Sequence, residues 1–220
     1  MPRVDYRLNA IVDGSLCALG PLPDLAAIAA SNGATIIQYR DKHASTRAMI
    51  ENAITIREAI AGSGVPLVVN DRLDVAMAAE AHGVHLGRDD MPAATARQLL
   101  GTNAIIGLTV KNAADADAAI AAPIDYACIG GVFETLSKDN PDPPVGLDGF
   151  ADLRRRIAGA RSDLPVGAIA GIDVERTRAV VAAGASGVAV ISAIFRADDI
   201  AQAARALRKA VDETLEGRSS

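Results

Sequence analysis

The sequence has no tryptophan, and only three tyrosines and three phenylalanines in 220 residues. A core without large aromatics must be filled by Ala, Val, Ile and Leu, which suits helices packed on a parallel sheet. Half of the residues are hydrophobic, enough for a sizeable core and against wholesale disorder. Cysteine is scarce as well. Cys17 and Cys128 stand far apart, in neither a metal nor a redox spacing, and read as free, partly buried thiols. No apolar run is long enough to span a bilayer. Residues 1–13 lack a cationic segment followed by a long apolar one, so no signal peptide is expected and the cytoplasm is the expected location. A concentrated Lys/Arg run is also missing, and the formal net charge is −5. Both weigh against nucleic acid or an anionic membrane as partner. An anionic small molecule stays open, because a few local cations can dominate a pocket. The sequence does not decide between a monomer and a homo-oligomer.

What is present is a repeated alternation of short apolar runs and Ala-rich amphipathic segments. The runs at 8–12, 35–39, 67–70, 83–86, 105–109, 126–130, 166–170 and 187–191 read as strands. The segments at 24–31, 46–61, 73–81, 93–100, 113–121, 147–160, 174–183 and 200–215 read as helices. Ser45, Asn112 and Asp173 are expected N-caps, and Pro92 suits a first helical turn. Gly33, Gly83 and Gly184 are expected to stop the preceding helices. Eight strand–helix units imply right-handed crossovers and a parallel sheet. Their number in so short a chain, without insertions, favours a single-domain (β/α)₈ TIM barrel over residues 1–220 rather than an open doubly wound sheet. Residues 216–220 are expected to fray. The irregular stretch at 131–146, with Pro141, Pro143 and Pro144, is the one long loop, and such loops are usually functional.

In this fold the chemistry sits where strands end at the C-terminal face. Strand 2 ends Gln38-Tyr39-Arg40-Asp41-Lys42, and alternation puts Gln38, Arg40 and Lys42 on one side. They read equally as a cationic pocket wall and as a solvated strand end. Asp71, directly after strand 3, could ligate a hard cation or cap the next helix. Asp90, after strand 4, could share that metal. His85 reads as a hydrogen-bonded barrel residue rather than a catalytic base. Thr109 can offer a hydroxyl. The run from Gly130 to Lys138 combines glycines, hydroxyls and a lysine, as an anion cradle would. Gly171 and Ser192 follow strands 7 and 8, where this fold commonly holds a phosphate; Ser192 could instead be a helix cap. Cations, two carboxylates and two glycine-rich loops on one face suggest a pyrophosphate with a divalent metal, beside a separate monophosphate.

The ordered set Gln38-x-Arg40-x-Lys42, Asn70-Asp71-Arg72, Gly83-Val84-His85-Leu86-Gly87 with Asp90-Met91, Phe133-x-Thr135-x-Ser137-Lys138, and Gly184-x-x-Gly187-Val188-Ala189-Val190 resembles the thiamine-phosphate synthase family. The likeness covers most of the chain. It implies an enzyme joining hydroxymethylpyrimidine pyrophosphate to hydroxyethylthiazole phosphate, by a Mg²⁺-assisted dissociative substitution. By the same resemblance Gln38 contacts the pyrimidine, and Arg40, Lys42, Asn70 and Lys138 the pyrophosphate. Asp71 and Asp90 match the Mg²⁺ ligands. Thr135, Ser137, Gly171, Ile191 and Ser192 match the thiazole-phosphate site. Thr109 stands where the family usually has Ser, Gly131 where it has Pro, Ser137 where it has Thr, and Ala170 where it has the first glycine of Gly-Gly-Ile. Arg40, Lys42, Thr109 and Lys138 are the expected catalytic residues. Two other readings are a thiazole tautomerase, disfavoured by the retained pyrophosphate and metal residues, and a non-catalytic phosphate-binding barrel.

Overall fold

A computed structural model describes residues 4–17, 19–135 and 143–219. Eight parallel strands pair in chain order and the last returns to the first, which closes the barrel and leaves no sheet edge. The strands are β1 (Leu8–Asp13), β2 (Ile36–Arg40), β3 (Leu67–Asn70), β4 (Gly83–Leu86), β5 (Ile105–Val110), β6 (Tyr126–Ile129), β7 (Val166–Ile169) and β8 (Gly187–Val190). The helices are α1 (Leu22–Ser31), α2 (Thr46–Ile60), α3 (Leu73–Ala78), α4 (Ala93–Leu100), α5 (Ala113–Ala121), α6 (Gly146–Ala160), α7 (Val174–Ala182), α8 (Ser192–Phe195) and α9 (Ile200–Ser219). Ser45 Oγ accepts from Ala48 N (3.3 Å), Asn112 Oδ1 from Asp115 N (3.0 Å) and Asp173 Oδ1 from Arg176 N (2.8 Å), so all three expected caps form. Pro92 sits one place earlier than expected, as the N-cap of α4.

One expectation fails locally, at Gly83, and α9 extends to Ser219. Arg218 reaches across to α7 and the turn beyond it, donating to the carbonyls of Val181 (3.0 Å) and Ala185 (3.2 Å), and so ties down the last turn. Gly83 does not stop α3. Glu80 takes the left-handed conformation instead, at φ 51°. Gly83 faces the barrel interior, where a Cβ would come within 1.8 Å of the Ile105 carbonyl oxygen.

Period-two alternation sorts the strand residues into two cores. On β1, Leu8, Ala10 and Val12 pack under the helices while Ile11 points into the barrel. Inside, Tyr6 and Tyr126 pack with ring centroids 4.7 Å apart. Bare inner faces on two strands admit these rings: a Cβ on Gly167 would lie 1.8 Å from the Tyr6 ring, and one on Gly107 would lie 2.1 Å from the Tyr126 ring. The lower barrel is therefore packed around the two rings, and a cavity opens above them at the C-terminal mouth. Both cysteines are buried and neither is in a disulfide. No helix among the described residues is long and apolar enough to cross a membrane.

Candidate active site

The same alternation builds a cavity at the mouth. Gln38 and Arg40 from β2, Asn70 from β3 and Thr109 from β5 project into it. Thr135 on the loop after β6, Gly171 after β7, and Ile191 and Ser192 after β8 supply the opposite wall. One wall thus carries amides and a guanidinium, and the other carries turn backbone and hydroxyls.

The charged groups are paired. Arg40 Nη1 donates to Asp13, a fully buried carboxylate on the neighbouring strand. Lys42 stands at the rim, half exposed, and donates to Asp71. Asp71 lies beside Asp90, whose Oδ2 accepts from Gly87 N at 2.6 Å. Burial pushes the Asp71 carboxyl up, but its interactions with Asp90 and Lys42 outweigh this and hold it below the ordinary carboxylate value. Asp90 moves the other way: burial and then the neighbouring Asp71 raise it. Asp71 adopts φ 63° and does not cap α3, which has no side-chain cap. Its oxygens instead face Lys42 and Asp90. Among the described residues no group of three or more His, Cys, Asp or Glu gathers around one point. A metal here would draw two carboxylates from the protein and its other ligands from substrate oxygens and water. Mg²⁺ tolerates that donor set well, since it keeps waters and binds phosphate oxygens.

His85 lies beneath the cavity. Its Nε2 is 2.9 Å from Thr109 Oγ1 and its Nδ1 is 3.0 Å from Tyr126 Oη. It is a buried relay between two hydroxyls, with both ring nitrogens engaged.

On the opposite wall the turn after β7 is tight. Gly171 has φ 63°, and a Cβ there would approach the Glu134 carbonyl oxygen to 2.3 Å. Ala170 before it sits at φ 91°, unusual for a residue with a side chain. The limbs of the long loop are stitched to this turn and to each other. Val132 N donates to Ile169 O (3.1 Å), Phe133 N to Ala170 O (3.2 Å), Val145 N to Gly131 O (2.9 Å) and Gly146 N to Val132 O (3.0 Å). Arg176 adds a clasp: Nη1 donates to Gly171 O at 2.7 Å while the guanidinium lies 4.7 Å from the centre of the Phe133 ring. Ser192 is the first residue of α8, with Ile191 in the cap position, so Ser192 is not a helix cap.

The structure therefore gathers Gln38, Arg40, Asn70, Thr109, Thr135 and the turn residues Gly171, Ile191 and Ser192 around one cavity. Lys42, Asp71 and Asp90 form a cluster of their own through Asp71. Ser137 and Lys138 lie outside the described residues. Sequence reasoning missed Asp13, which engages Arg40, and Lys111, which lines the cavity from the end of β5. Both continue the inward phase of their strands, Asp13 after Ile11 and Lys111 after Thr109, so the alternation applied to β1 and β5 would have found them.

The thiamine monophosphate synthase family model matches residues 8–194. The chain is 66% identical over 218 residues to the thiamine-phosphate synthase of Agrobacterium fabrum (strain C58), across 99% of each chain. It is 43% identical over 213 residues to that of Chloroflexus aurantiacus, across 97% of this chain and 96% of the other. The solved structure of thiamine phosphate pyrophosphorylase from Pyrococcus furiosus superposes with a TM-score of 0.84 at 35% identity, over 97% of this chain and 98% of that one. With the match spanning the barrel from β1 into α8, and its residues meeting at one mouth, the chain belongs to the thiamine monophosphate synthase family.

Proposed function

We propose that this chain joins hydroxymethylpyrimidine pyrophosphate to hydroxyethylthiazole phosphate, forming thiamine phosphate and pyrophosphate, by a dissociative substitution at the barrel mouth. The family makes it a transferase of thiamine phosphate synthesis; the residue roles and the order of bond changes are the proposal. The observation that carries it is the division of the cavity into two unlike walls. Gln38, Arg40 and Asn70 suit a pyrimidine and its pyrophosphate, and the turns at Gly171 and Ser192 suit a separate monophosphate.

The C–O bond to pyrophosphate breaks first and its electron pair leaves with the pyrophosphate. The thiazole nitrogen then donates its lone pair to the pyrimidine methylene and closes the new C–N bond. No proton is removed from carbon or nitrogen, so no strong base is required. This matches a site whose one buried histidine, His85, has both ring nitrogens occupied. Arg40 and Asn70 bind the leaving pyrophosphate, and Gln38 orients the pyrimidine ring. Lys42 balances the carboxylate pair. Lys138 adds a cation from the loop. Thr135, Ser137, Gly171, Ile191 and Ser192 hold the thiazole phosphate. Thr109, held by His85, presents a hydroxyl toward the reacting centre. Mg²⁺, held by Asp71 and Asp90, would supply charge neutralisation to the leaving group when bound. With both substrates seated, the loop after β6 keeps water from the pyrimidine cation. The reading carries with it a cytoplasmic enzyme acting on small molecules.

Pyrophosphate release, measured with each substrate alone and with both, in the presence and absence of Mg²⁺, tests this. Release that needs both substrates and the metal is expected. Conversion of the thiazole alone without pyrophosphate release would identify a tautomerase instead. Binding without turnover would identify a phosphate-binding barrel.

A further inference from the structure

Asp13 ends β1 and pairs in register with Arg40 at the end of β2. Side chains in register on neighbouring parallel strands leave the sheet on the same face, so both project toward the mouth. Asp13 is fully buried, and its two oxygens are divided between two donors' sets. Oδ2 accepts from Arg40 Nη1. Oδ1 accepts from the backbone N of Ser15 at 2.9 Å and from the Ser15 hydroxyl at 2.6 Å. The backbone N of Gly14 donates to the Arg40 carbonyl at 2.9 Å, which ties the two strand ends together. Arg40 keeps 14% of its side chain exposed, and that part faces the cavity.

A carboxylate beside a cation that receives an anion is electrostatically adverse to anion binding, since it cancels the net charge that attracts the ligand. Its presence here, without solvent and fixed on its far side by Ser15, points to orientation rather than attraction. A guanidinium is a rigid planar fork of five N–H donors. With one end anchored on Asp13, its plane is set and the remaining donors are aimed into the cavity. A long side chain without that anchor would have to be ordered by the ligand at an entropic cost.

We infer that Asp13 is the positioning residue for Arg40: it holds the guanidinium so that its free N–H groups meet the pyrophosphate of the pyrimidine substrate, with Ser15 as the buttress of Asp13. This rests on the reading that Arg40 binds that pyrophosphate. Asp13 itself touches no reacting atom.

A double-mutant cycle separates the two claims. Asp13→Asn keeps the shape and can still accept from Ser15, but loses the charge that anchors Arg40. It is expected to raise KM for the pyrimidine pyrophosphate about ten- to a hundredfold, with KM for the thiazole phosphate changed less than about threefold. The same substitution made in an Arg40→Ala chain should change the pyrimidine KM less than about threefold, because the group it positions is gone. Equal losses in both backgrounds, or equal losses for both substrates, would overturn the positioning role and leave Asp13 a fold residue. An unaltered pyrimidine KM in Arg40→Ala alone would instead overturn the assignment of Arg40. Thermal unfolding shows whether Asp13→Asn folds. If it does not, Ser15→Ala takes its place, removing one donor from an exposed residue. A severalfold rise in the pyrimidine KM that disappears in the Arg40→Ala chain supports the role; an unchanged KM refutes it.

Discussion

Asp71 and Asp90 come from the ends of adjacent strands and lie side by side, and burial together with their mutual interaction shifts the two carboxyls in opposite directions. Asp71 lies below its ordinary value, so its contribution to stability is present above the ordinary carboxylate value and is lost as pH falls through the lowered one. Asp90 lies above, so its contribution is present below the ordinary value and is lost as pH rises through the raised one. Where both carboxyls are ionised, the barrel holds the pair together against repulsion. In metal-free buffer Asp90→Asn should be at least as stable as the native chain, and Mg²⁺ should no longer raise its melting temperature. Thermal scans with and without Mg²⁺ check both, and a clear loss of metal-free stability would contradict the account. Turnover should fall roughly a hundredfold or more in Asp71→Asn and in Asp90→Asn, since a bound metal supplies several kcal/mol of charge stabilisation. Near-native turnover of both variants at limiting Mg²⁺ would remove them as ligands.

Ala170 sits at φ 91°, next to Gly171 in the wall assigned to the thiazole phosphate. A methyl group at such a backbone angle is strained, and glycine relieves it. Ala170→Gly should stabilise the protein by about 1 kcal/mol, a rise of roughly 2–4 °C in Tm for a chain of this size. It should also lower KM for the thiazole phosphate. A fall in Tm would show that the turn bears no such strain.

The clasp from Arg176 to Gly171 and Phe133 joins the phosphate turn to the first limb of the long loop. A cation–π contact at an exposed site is worth about 0.5–1 kcal/mol. Arg176→Ala should speed hydrogen exchange at the Phe133 amide, which donates to Ala170, and weaken thiazole phosphate binding severalfold. In the native chain, adding both substrates should slow exchange at residues 131–135 and 143–146. Equal exchange with and without substrates would rule out closure of this loop over the site.

Burial holds the Tyr126 phenol well above its ordinary value, so it keeps its proton and can donate it to His85 Nδ1. With that tautomer the imidazole carries its proton on Nε2 and donates it to Thr109; with the other, Thr109 donates to Nε2. In either tautomer Thr109→Val strands the buried Nε2, at a cost of about 1–3 kcal/mol. Lower Tm and lower turnover are expected for Thr109→Val, and near-native values for Thr109→Ser. A valine variant as stable as the native chain would show that the Thr109 hydroxyl is not needed there.

Much of the fold was legible because its signals are local. Period-two alternation put Gln38 and Arg40 on one face of β2, and Ser45, Asn112 and Asp173 cap their helices with their own side chains a few residues away. Gly83 misled for a reason that is not local: its missing Cβ makes room for a carbonyl on β5 rather than ending a helix. The last turn of α9 is likewise joined by Arg218 to carbonyls 37 and 33 residues away.

The same division runs through the site. The sequence by itself determined the eight strand–helix units, the inward phase of each strand and the residue types at each strand end. These follow from backbone geometry and from side chains acting within a turn or two. Only the tertiary structure decided who meets whom. Asp71 faces Asp90 and Lys42 instead of capping α3, and Asp13 grips Arg40, because closure and register bring the ends of neighbouring strands level. Residues 27 positions apart, as Asp13 and Arg40 are, become partners only when the barrel fixes their alignment. No local pattern carries that information.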